Sequence, residues 1–285
     1  MKIFKDPKKI QQHISNLKKR GKTVAFVPTM GALHEGHAAL LRKARTAGDI
    51  LVLSIFVNPL QFGPAEDFSR YPRPLKNDLA VAKKEKVDMV FTPAAADLYA
   101  ADHSTHVAED DLSRGLCGAV RPGHFRVVTT VVAKLFNIVL PDSAFFGQKD
   151  YQQYKVIERM SRDLRFPVRL VMVPTAREKD GLAMSSRNTY LSTAERETAP
   201  AIYQALCAAK KDIEEGAALN RAGSRIRAAL RKSGIRAIDY AAVLSAADLK
   251  AASQTDKKLV VAVAVRLGKT RLIDNILVKR SGKNI

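Results

Sequence analysis

Apolar and polar positions alternate in blocks along this chain, and the pattern changes near residue 174. Before that point, short apolar runs alternate with longer stretches whose apolar positions recur at helical spacing. The apolar runs predict strands at residues 23–27, 50–57, 87–92, 144–147 and 168–174. The amphipathic stretches predict helices at residues 36–47, 74–86, 127–139 and 151–164. This part of the chain therefore alternates strand and helix.

The strands of this part have the composition of a sheet that is covered on both faces. Residues 50–57 read Ile-Leu-Val-Leu-Ser-Ile-Phe-Val, an almost continuous apolar run that is typical of a buried parallel strand. Strands that alternate with helices of 10–15 residues imply right-handed βαβ crossovers. We therefore predict an α/β fold, with a Rossmann-like, doubly wound parallel sheet over residues 1–175.

After residue 174 the order of the elements changes. A polar, charged loop at 177–188 leads to a long predicted helix at 193–215 and a second near 220–232. Three strand-like runs follow at 238–244, 259–265 and 271–278. Helices followed by strands indicate a smaller α+β domain rather than further βαβ units. We predict this C-terminal lid domain over residues 176–285.

Composition narrows the class of protein. With 285 residues, 46% of them hydrophobic, the chain can bury the core of one large domain or two modest ones. The basic residues 1–9 lack the apolar stretch of a secretory signal, and no run approaches the roughly 18 apolar residues of a membrane span. Cys117 and Cys207 match no metal or redox spacing. We expect a cytoplasmic protein without membrane association.

The charge is strongly basic. Lysine and arginine number 48 against 28 acidic residues, a formal net charge of +20, which raises nucleic-acid binding as one interpretation. The other is a solvated basic surface that attracts small anionic substrates. We favour the second, because the basic residues are spread along the chain and no basic stripe interleaved with aromatics occurs. Nucleic-acid binding would instead show an affinity that falls steeply with salt.

The motif with the clearest chemistry is Pro-Thr-Met-Gly-Ala-Leu-His-Glu-Gly-His at residues 28–37. It joins a predicted strand to a predicted helix, an arrangement that directs backbone N–H groups and the helix dipole at a phosphate. His34 and His37 are three residues apart, so both can donate to one anion, and Gly36 leaves room for it. A metal site would need a third ligand, and no His or Cys cluster supplies one. We predict a nucleotide-phosphate site.

A second polar motif follows the predicted strand at 50–57. Asn58 and Gln61 offer neutral donors and acceptors that suit hydroxyl and carboxylate groups. Ligands of open α/β sheets bind at such strand ends. The alternative is an ordinary turn built on Asn-Pro.

A third motif follows the predicted strand at 144–147. Lys149 can place a point charge on a phosphate, and Asp150 can accept hydrogen bonds from ribose hydroxyls. Gln153 lies one helical turn on, on the same side as Asp150. The alternative is a helix start with a favourable acid in its first turn.

A fourth motif lies at the predicted domain boundary. Ser185, Ser186 and Arg187 combine two short hydroxyl donors with a guanidinium fork, which suits a flexible anion clamp. The alternative is a polar linker between domains. Both interpretations fit the position, because lids that close on substrates use such loops.

Together, these motifs resemble the pantothenate synthetase family, and the resemblance extends through nearly the whole chain. It also includes the blocks at 70–73, 116–118, 121–126 and 134–137. The family implies a Rossmann-type fold of the nucleotidyltransferase superfamily with a smaller C-terminal lobe, usually as a dimer. It also implies a ligase that joins pantoate to β-alanine through pantoyl adenylate, using ATP with Mg²⁺ on its phosphates and releasing AMP and diphosphate.

The resemblance also implies roles for individual residues. His37, with His34 beside it, and Lys149 would be catalytic, and Gln61, Gln153 and Asn58 would bind the acid and amine substrates. Ala176 would contact adenine through its backbone. The implied nucleotide-binding residues are Met30, Gly31, Ala32, Leu33, His34, Glu35, Gly36, His37, Gly147, Gln148, Lys149, Asp150, Ala176, Met184, Ser185, Ser186 and Arg187. No protein ligand of a metal is assigned.

The chain departs from the family pattern at two places. Val127 follows Arg126 where the family commonly has glycine, and Lys76-Asn77 precede Asp78 where relatives are more acidic. Asp78 is the carboxylate left there that could help to hold Mg²⁺. An alternative is another nucleotidyltransferase, such as a cofactor adenylyltransferase or a tRNA-charging relative. The His-x-Gly-His motif fits those enzymes too, whereas Gln61, Gln153 and the short chain do not favour them.

Overall fold

The computed structural model describes residues 1–64 and 66–280, which form two compact units. The first unit comprises Met1–Ser113, Arg121–Gln148 and Gln153–Pro174. The second comprises Arg114–Val120, Lys149–Gln152 and the described residues from Thr175 onward. The sequence pattern predicts a single domain boundary at residue 175. In the structure, two short segments that precede this residue also belong to the second unit.

A six-stranded parallel sheet forms the centre of the first unit. Its strands are β1 (Lys2–Phe4), β2 (Val24–Thr29), β3 (Ile50–Ile55), β4 (Met89–Phe91), β5 (Ser143–Gly147) and β6 (Arg169–Val173). They lie in the order β1-β4-β3-β2-β5-β6, and every neighbouring pair is parallel. The chain runs from β2 through β3 and β4 on one side, then crosses to β5 on the other. The strand order therefore reverses beside β2, as in a doubly wound sheet, and the predicted fold class is confirmed.

Helices cover this sheet. The helices in this part of the chain are α1 (Pro7–Lys19), α2 (Glu35–Arg45), α3 (Leu75–Lys84), α4 (Ala95–Leu98), α5 (Cys117–Val120, in the second unit), α6 (His124–Val139) and α7 (Tyr151–Asp163). α1 packs on α6, and α2 packs on α3. Val127 lies inside α6, where a helical backbone requires no glycine. No helix among the described residues is both long and apolar enough to cross a membrane.

The second unit combines helices with an antiparallel sheet. Its elements after residue 190 are α8 (Thr193–Thr198), α9 (Ala201–Glu214), α10 (Leu219–Lys232), β7 (Ala237–Ser245), β8 (Lys258–Leu267) and β9 (Thr270–Lys279). The strands lie in the order β7-β8-β9, with α9 packed on β8 and β9 and α10 packed on α9 and β7. This is the predicted α+β arrangement. The single helix predicted at 193–215 is wrong: Pro200 interrupts it, because proline has no backbone N–H for the helical hydrogen bond.

Candidate functional site

The predicted substrate-binding and phosphate-binding residues of the first unit follow neighbouring parallel strands. Residues 30–37 follow β2, Asn58 and Gln61 follow β3, and Gln153 lies in α7, after β5. Because β3 and β5 flank β2, these segments leave the sheet at one edge, where the strand order reverses. Ligands of doubly wound sheets bind at that position.

The turn after β2 is held by a buried carboxylate. Gly31 and Ala32 have φ angles of 81° and 51°, and Asp78 accepts hydrogen bonds from Ala32 N at 3.0 Å and Leu33 N at 2.7 Å. A Cβ atom on Gly31 would lie 3.0 Å from Asp78 Oδ2, so a side chain there would crowd the carboxylate. Burial raises the pKa of the Asp78 carboxyl, and the two N–H donors oppose that shift. The structure thus gives Asp78 a role in shaping the turn, and the Mg²⁺ role left open by the sequence stays a prediction.

The two histidines cap the helix that follows this turn. His34 is the N-cap of α2, and its Nδ1 accepts a hydrogen bond from Gly36 N at 3.1 Å. His37 Nδ1 accepts from His34 N at 3.3 Å, and the two ring centroids are 4.2 Å apart. Because Nδ1 is the acceptor on both rings, a neutral imidazole carries its proton on Nε2. The helix start thus bears two adjacent Nε2–H donors beside the positive end of the helix dipole.

Asn58 shapes the turn that carries Gln61. Asn58 is fully buried, its Oδ1 accepts from Leu60 N at 3.2 Å, and its Nδ2 donates to the Tyr99 hydroxyl at 3.0 Å. These bonds define the short helical turn Pro59–Gln61. The predicted contact of Asn58 with a substrate stays a prediction, whereas its structural role follows from these bonds.

An ion pair that the sequence pattern does not reveal holds the same turn. Arg121 donates to the Gln61 carbonyl at 2.9 Å and makes a two-pronged pair with Glu66 at 2.7 and 2.6 Å. Burial opposes ionisation of Glu66, but the hydrogen bonds and charge of Arg121 outweigh it and lower the pKa of that carboxyl. Arg121 belongs to a block that resembles the family, whereas no local signal identifies Glu66.

The predicted nucleotide-binding residues that follow residue 175 lie on a hairpin and a short turn. Ala176 and Met184 lie opposite each other, with Met184 N donating to the Ala176 carbonyl at 3.0 Å. Ser185 Oγ accepts from Arg187 N at 3.2 Å and caps the helical turn Ser186–Tyr190. The loop predicted as a flexible clamp is therefore a hydrogen-bonded hairpin that ends in a capped turn.

Lys149 belongs to the second unit as well. Its Nζ lies 3.7 Å from Asp150 Oδ1, and its carbonyl accepts a hydrogen bond from Asn275 Nδ2 at 2.9 Å. Asn275 is in β9, far along the chain, and the sequence pattern did not identify it. Among the residues described by the structure, no group of three or more His, Cys, Asp or Glu side chains is placed to hold a metal.

The fold and this site define a class. A doubly wound parallel sheet, with a histidine-capped helix start where its strand order reverses, is the arrangement of an α/β nucleotide-binding enzyme. The comparisons with known proteins specify the class further.

The sequence model of the family described as Pantoate-beta-alanine ligase matches residues 2–277. The pantothenate synthetase of Sulfurihydrogenibium sp. (strain YO3AOP1) is 50% identical over 278 residues, which cover 97% of this chain and 99% of the relative. The crystal structure of pantothenate synthetase from Thermus thermophilus matches with a TM-score of 0.91 at 44% identity, covering 97% and 99% of the two chains. Pantoate-beta-alanine ligase from Francisella tularensis, crystallised with Beta-gamma ATP and β-alanine, matches with a TM-score of 0.81 at 31% identity and 97% coverage of both chains.

The chain belongs to the pantoate–β-alanine ligase family, the pantothenate synthetases. It is an ATP-dependent ligase that joins pantoate to β-alanine. The family resemblance, the predicted activity and the predicted class of enzyme are confirmed.

Proposed function

We propose that the chain makes pantothenate in two steps through pantoyl adenylate. A carboxylate oxygen of pantoate attacks the α-phosphorus of ATP, and the bond from that phosphorus to the diphosphate oxygen breaks. The amine of β-alanine then attacks the acyl carbon, the bond from that carbon to the phosphate oxygen breaks, and AMP leaves while the amine loses a proton. No side-chain nucleophile is needed. The observation that carries the proposal is the pair of adjacent histidines at the start of α2, each of which accepts a backbone hydrogen bond at Nδ1.

In this proposal, His34 and His37 act on the charge that develops during adenylation. Negative charge grows on the phosphoryl oxygens and on the departing diphosphate, and preorganised N–H donors stabilise such charge more in the transition state than in the ground state. The capping bonds hold both rings in one orientation before ATP arrives. In this proposal the two histidines therefore contribute both their N–H dipoles and a fixed orientation of those dipoles toward the phosphates.

We also propose that ATP enters with Mg²⁺ as part of the substrate. Mg²⁺ is usually held by one or two carboxylates, substrate phosphates and water, so its charge would offset that of the phosphates without a protein cage. The family resemblance also supports nucleotide binding by residues of the second unit. The proposed nucleotide-binding residues of that unit are Lys149, Asp150, Ala176, Met184, Ser185, Ser186 and Arg187.

Replacing the two glutamines by alanine tests the proposed pantoate site. We expect Gln61→Ala and Gln153→Ala each to raise the KM for pantoate roughly tenfold or more, because each would lose a hydrogen bond to a charged or polar ligand group. The KM for ATP should change little. Gln12→Ala, at an exposed position of α1, is the matched control. An unchanged KM for pantoate in both variants would refute the assignment.

The overall reaction is tested by measuring AMP release from ATP with pantoate and β-alanine, each omitted in turn. We expect AMP only when all three substrates are present, and one equivalent of diphosphate per site when β-alanine is left out. An adenylyltransferase that acts on another acceptor would release neither AMP nor diphosphate in this mixture, because its acceptor is absent. AMP formation without pantoate would contradict the proposed route.

We propose a homodimer, which the family resemblance supports. Light scattering should then give a mass near twice that of the 31.3 kDa chain. The proposed partners are small molecules, so the basic surface would serve the encounter with anionic substrates rather than with nucleic acid.

A further inference from the structure

Two adjacent polar residues lie buried in the last strand of the second unit. Asp274 and Asn275, in β9, are only 4% and 3% exposed, within a sheet whose neighbouring strand β8 is almost wholly apolar. Adjacent residues of a strand point to opposite faces of its sheet. Buried polar side chains are costly unless they are hydrogen-bonded, so the partners of this pair indicate what the pair does.

On one face, Asp274 anchors the hairpin that leads to Ser185. Its carboxylate makes a two-pronged pair with Arg177 at 2.6 and 3.0 Å, and the Arg177 guanidinium lies 3.7 Å from the centre of the Tyr203 ring. Arg177 also donates to the Gly181 carbonyl at 3.0 Å, across the hairpin. A side chain on Gly181, which has a φ of +93°, would meet Tyr203 at 2.5 Å.

These contacts tie the hairpin to the sheet. Burial raises the pKa of the Asp274 carboxyl, and the bonds and charge of Arg177 act in the opposite direction. A buried ion pair is weak evidence for added stability, so its relevance to the site lies in the geometry that it imposes. Here that geometry is the path of the hairpin between Ala176 and Met184.

On the other face, Asn275 reaches the backbone of Lys149. Its Nδ2 donates to the Lys149 carbonyl at 2.9 Å, across 126 residues of chain. The bond holds the peptide from which the Lys149 side chain projects. The same β9 dipeptide therefore contacts two separate segments of the second unit, and both are segments that we propose to bind the nucleotide.

We propose that Asp274 and Asn275 are positioning residues, which place Lys149 and the turn at Ser185–Arg187 for one ligand, the ATP phosphates. The proposal rests on the function proposed above. Asn275 acts through the Lys149 backbone, and Asp274 acts through Arg177 and the hairpin. Neither residue needs to contact the nucleotide, because a small displacement of a charged group relative to reacting atoms is enough to slow a reaction.

The test compares steady-state kinetics of Asn275→Ala with those of a matched control. We expect the variant to lower kcat/KM for ATP roughly 10- to 100-fold, with the KM for pantoate within about twofold of the original. Asn275→Asp keeps the side-chain volume but replaces the amide donor by an acceptor. We expect it to lower kcat/KM for ATP as well. The control is Asp239→Asn, which weakens the pair with Arg271 at 2.7 Å in the same sheet and touches no proposed nucleotide segment. It should lower the melting temperature and leave kcat/KM for ATP unchanged.

The second half of the test uses Arg177→Lys, which keeps the charge but loses the two-pronged pair with Asp274. We expect a fall in kcat/KM for ATP of similar size, again without a change in the KM for pantoate. If Asn275→Ala, Asn275→Asp and Arg177→Lys behave like Asp239→Asn, with lower melting temperatures and unaltered kinetics, the two residues are structural only and the proposal is overturned.

A double-mutant cycle separates this proposal from the function on which it rests. If Asn275 acts through Lys149, the double variant Lys149→Ala/Asn275→Ala should be about as slow as Lys149→Ala alone. Additive losses would overturn the assignment of Asn275. A Lys149→Ala variant with normal ATP kinetics would instead refute the proposed role of Lys149 itself. Absence of AMP release by the unsubstituted protein would refute the proposed function.

Discussion

Replacement of His37 by glutamine is expected to slow pantoate-dependent diphosphate release roughly 100- to 1000-fold, the usual effect of removing one preorganised donor to a developing anion. Glutamine is the normal residue at the third position of a capping box, so its side chain can still accept the hydrogen bond from His34 N. The variant therefore removes the imidazole while retaining the cap. The measurement is single-turnover diphosphate release, together with the melting temperature.

Two further substitutions make the His37 experiment specific. His37→Ala should lose both the activity and the cap, with a cost of about 1 kcal/mol in stability. His13→Gln, in α1, removes an imidazole whose ring lies 5.3 Å from that of Phe4, in the edge strand β1, and should leave the rate unchanged. If His37→Gln retained a near-normal rate of diphosphate release, the proposed role of His37 in adenylation would be wrong.

Replacement of Asp78 by alanine is expected to reduce both stability and ATP use. Asp78 is 1% exposed and its carboxylate accepts from Ala32 N and Leu33 N, so its removal leaves two half-buried backbone donors without this partner. We expect a loss of about 3 kcal/mol in the free energy of unfolding of the first unit. Because the turn leads directly into the histidine pair, kcat/KM for ATP should fall about 100-fold.

Asp78→Asn sharpens this experiment. The asparagine oxygen can accept from one backbone N–H, but its amide group would oppose the other, so we expect an intermediate loss by denaturant unfolding and kinetics. Asp97→Ala is the matched control, because Asp97 accepts from Ala94 N at 2.7 Å at an exposed helix start, and its loss should affect stability alone. Normal ATP kinetics in folded Asp78→Ala would show that the turn does not depend on this carboxylate.

Local patterns were sufficient to predict most of the fold and the histidine pair. The apolar runs at 50–57 and 144–147 correspond to β3 and β5, because burial on both faces of a parallel sheet requires them. His34 and His37 lie within one turn of a helix, so their proximity follows from their spacing alone. β1 and α1 were not predicted, since β1 has only three residues and α1 has few apolar ones.

The supporting partners of the site could not be predicted in this way. Asp78 lies 45 residues from Leu33, Glu66 lies 55 residues from Arg121, and Asn275 lies 126 residues from Lys149. Each pair forms only once the strands and helices have packed, and nothing in the spacing of either partner indicates the other. The prediction from sequence therefore reaches the groups that we propose to face the ligand, whereas the groups that hold them follow from the tertiary structure.

The histidine cap changes the evolutionary constraints on this site. Functional residues usually reduce the stability of a protein, so their replacement often yields a more stable and less active variant. Here the two imidazoles also hold the first turn of α2, through Gly36 N and His34 N. A side chain that replaces either histidine and cannot accept its backbone hydrogen bond would therefore also lower the free energy of unfolding. Selection for stability therefore adds to the proposed selection for activity against every replacement that cannot accept these bonds, whereas glutamine at position 37, which can accept one, would be opposed by activity alone.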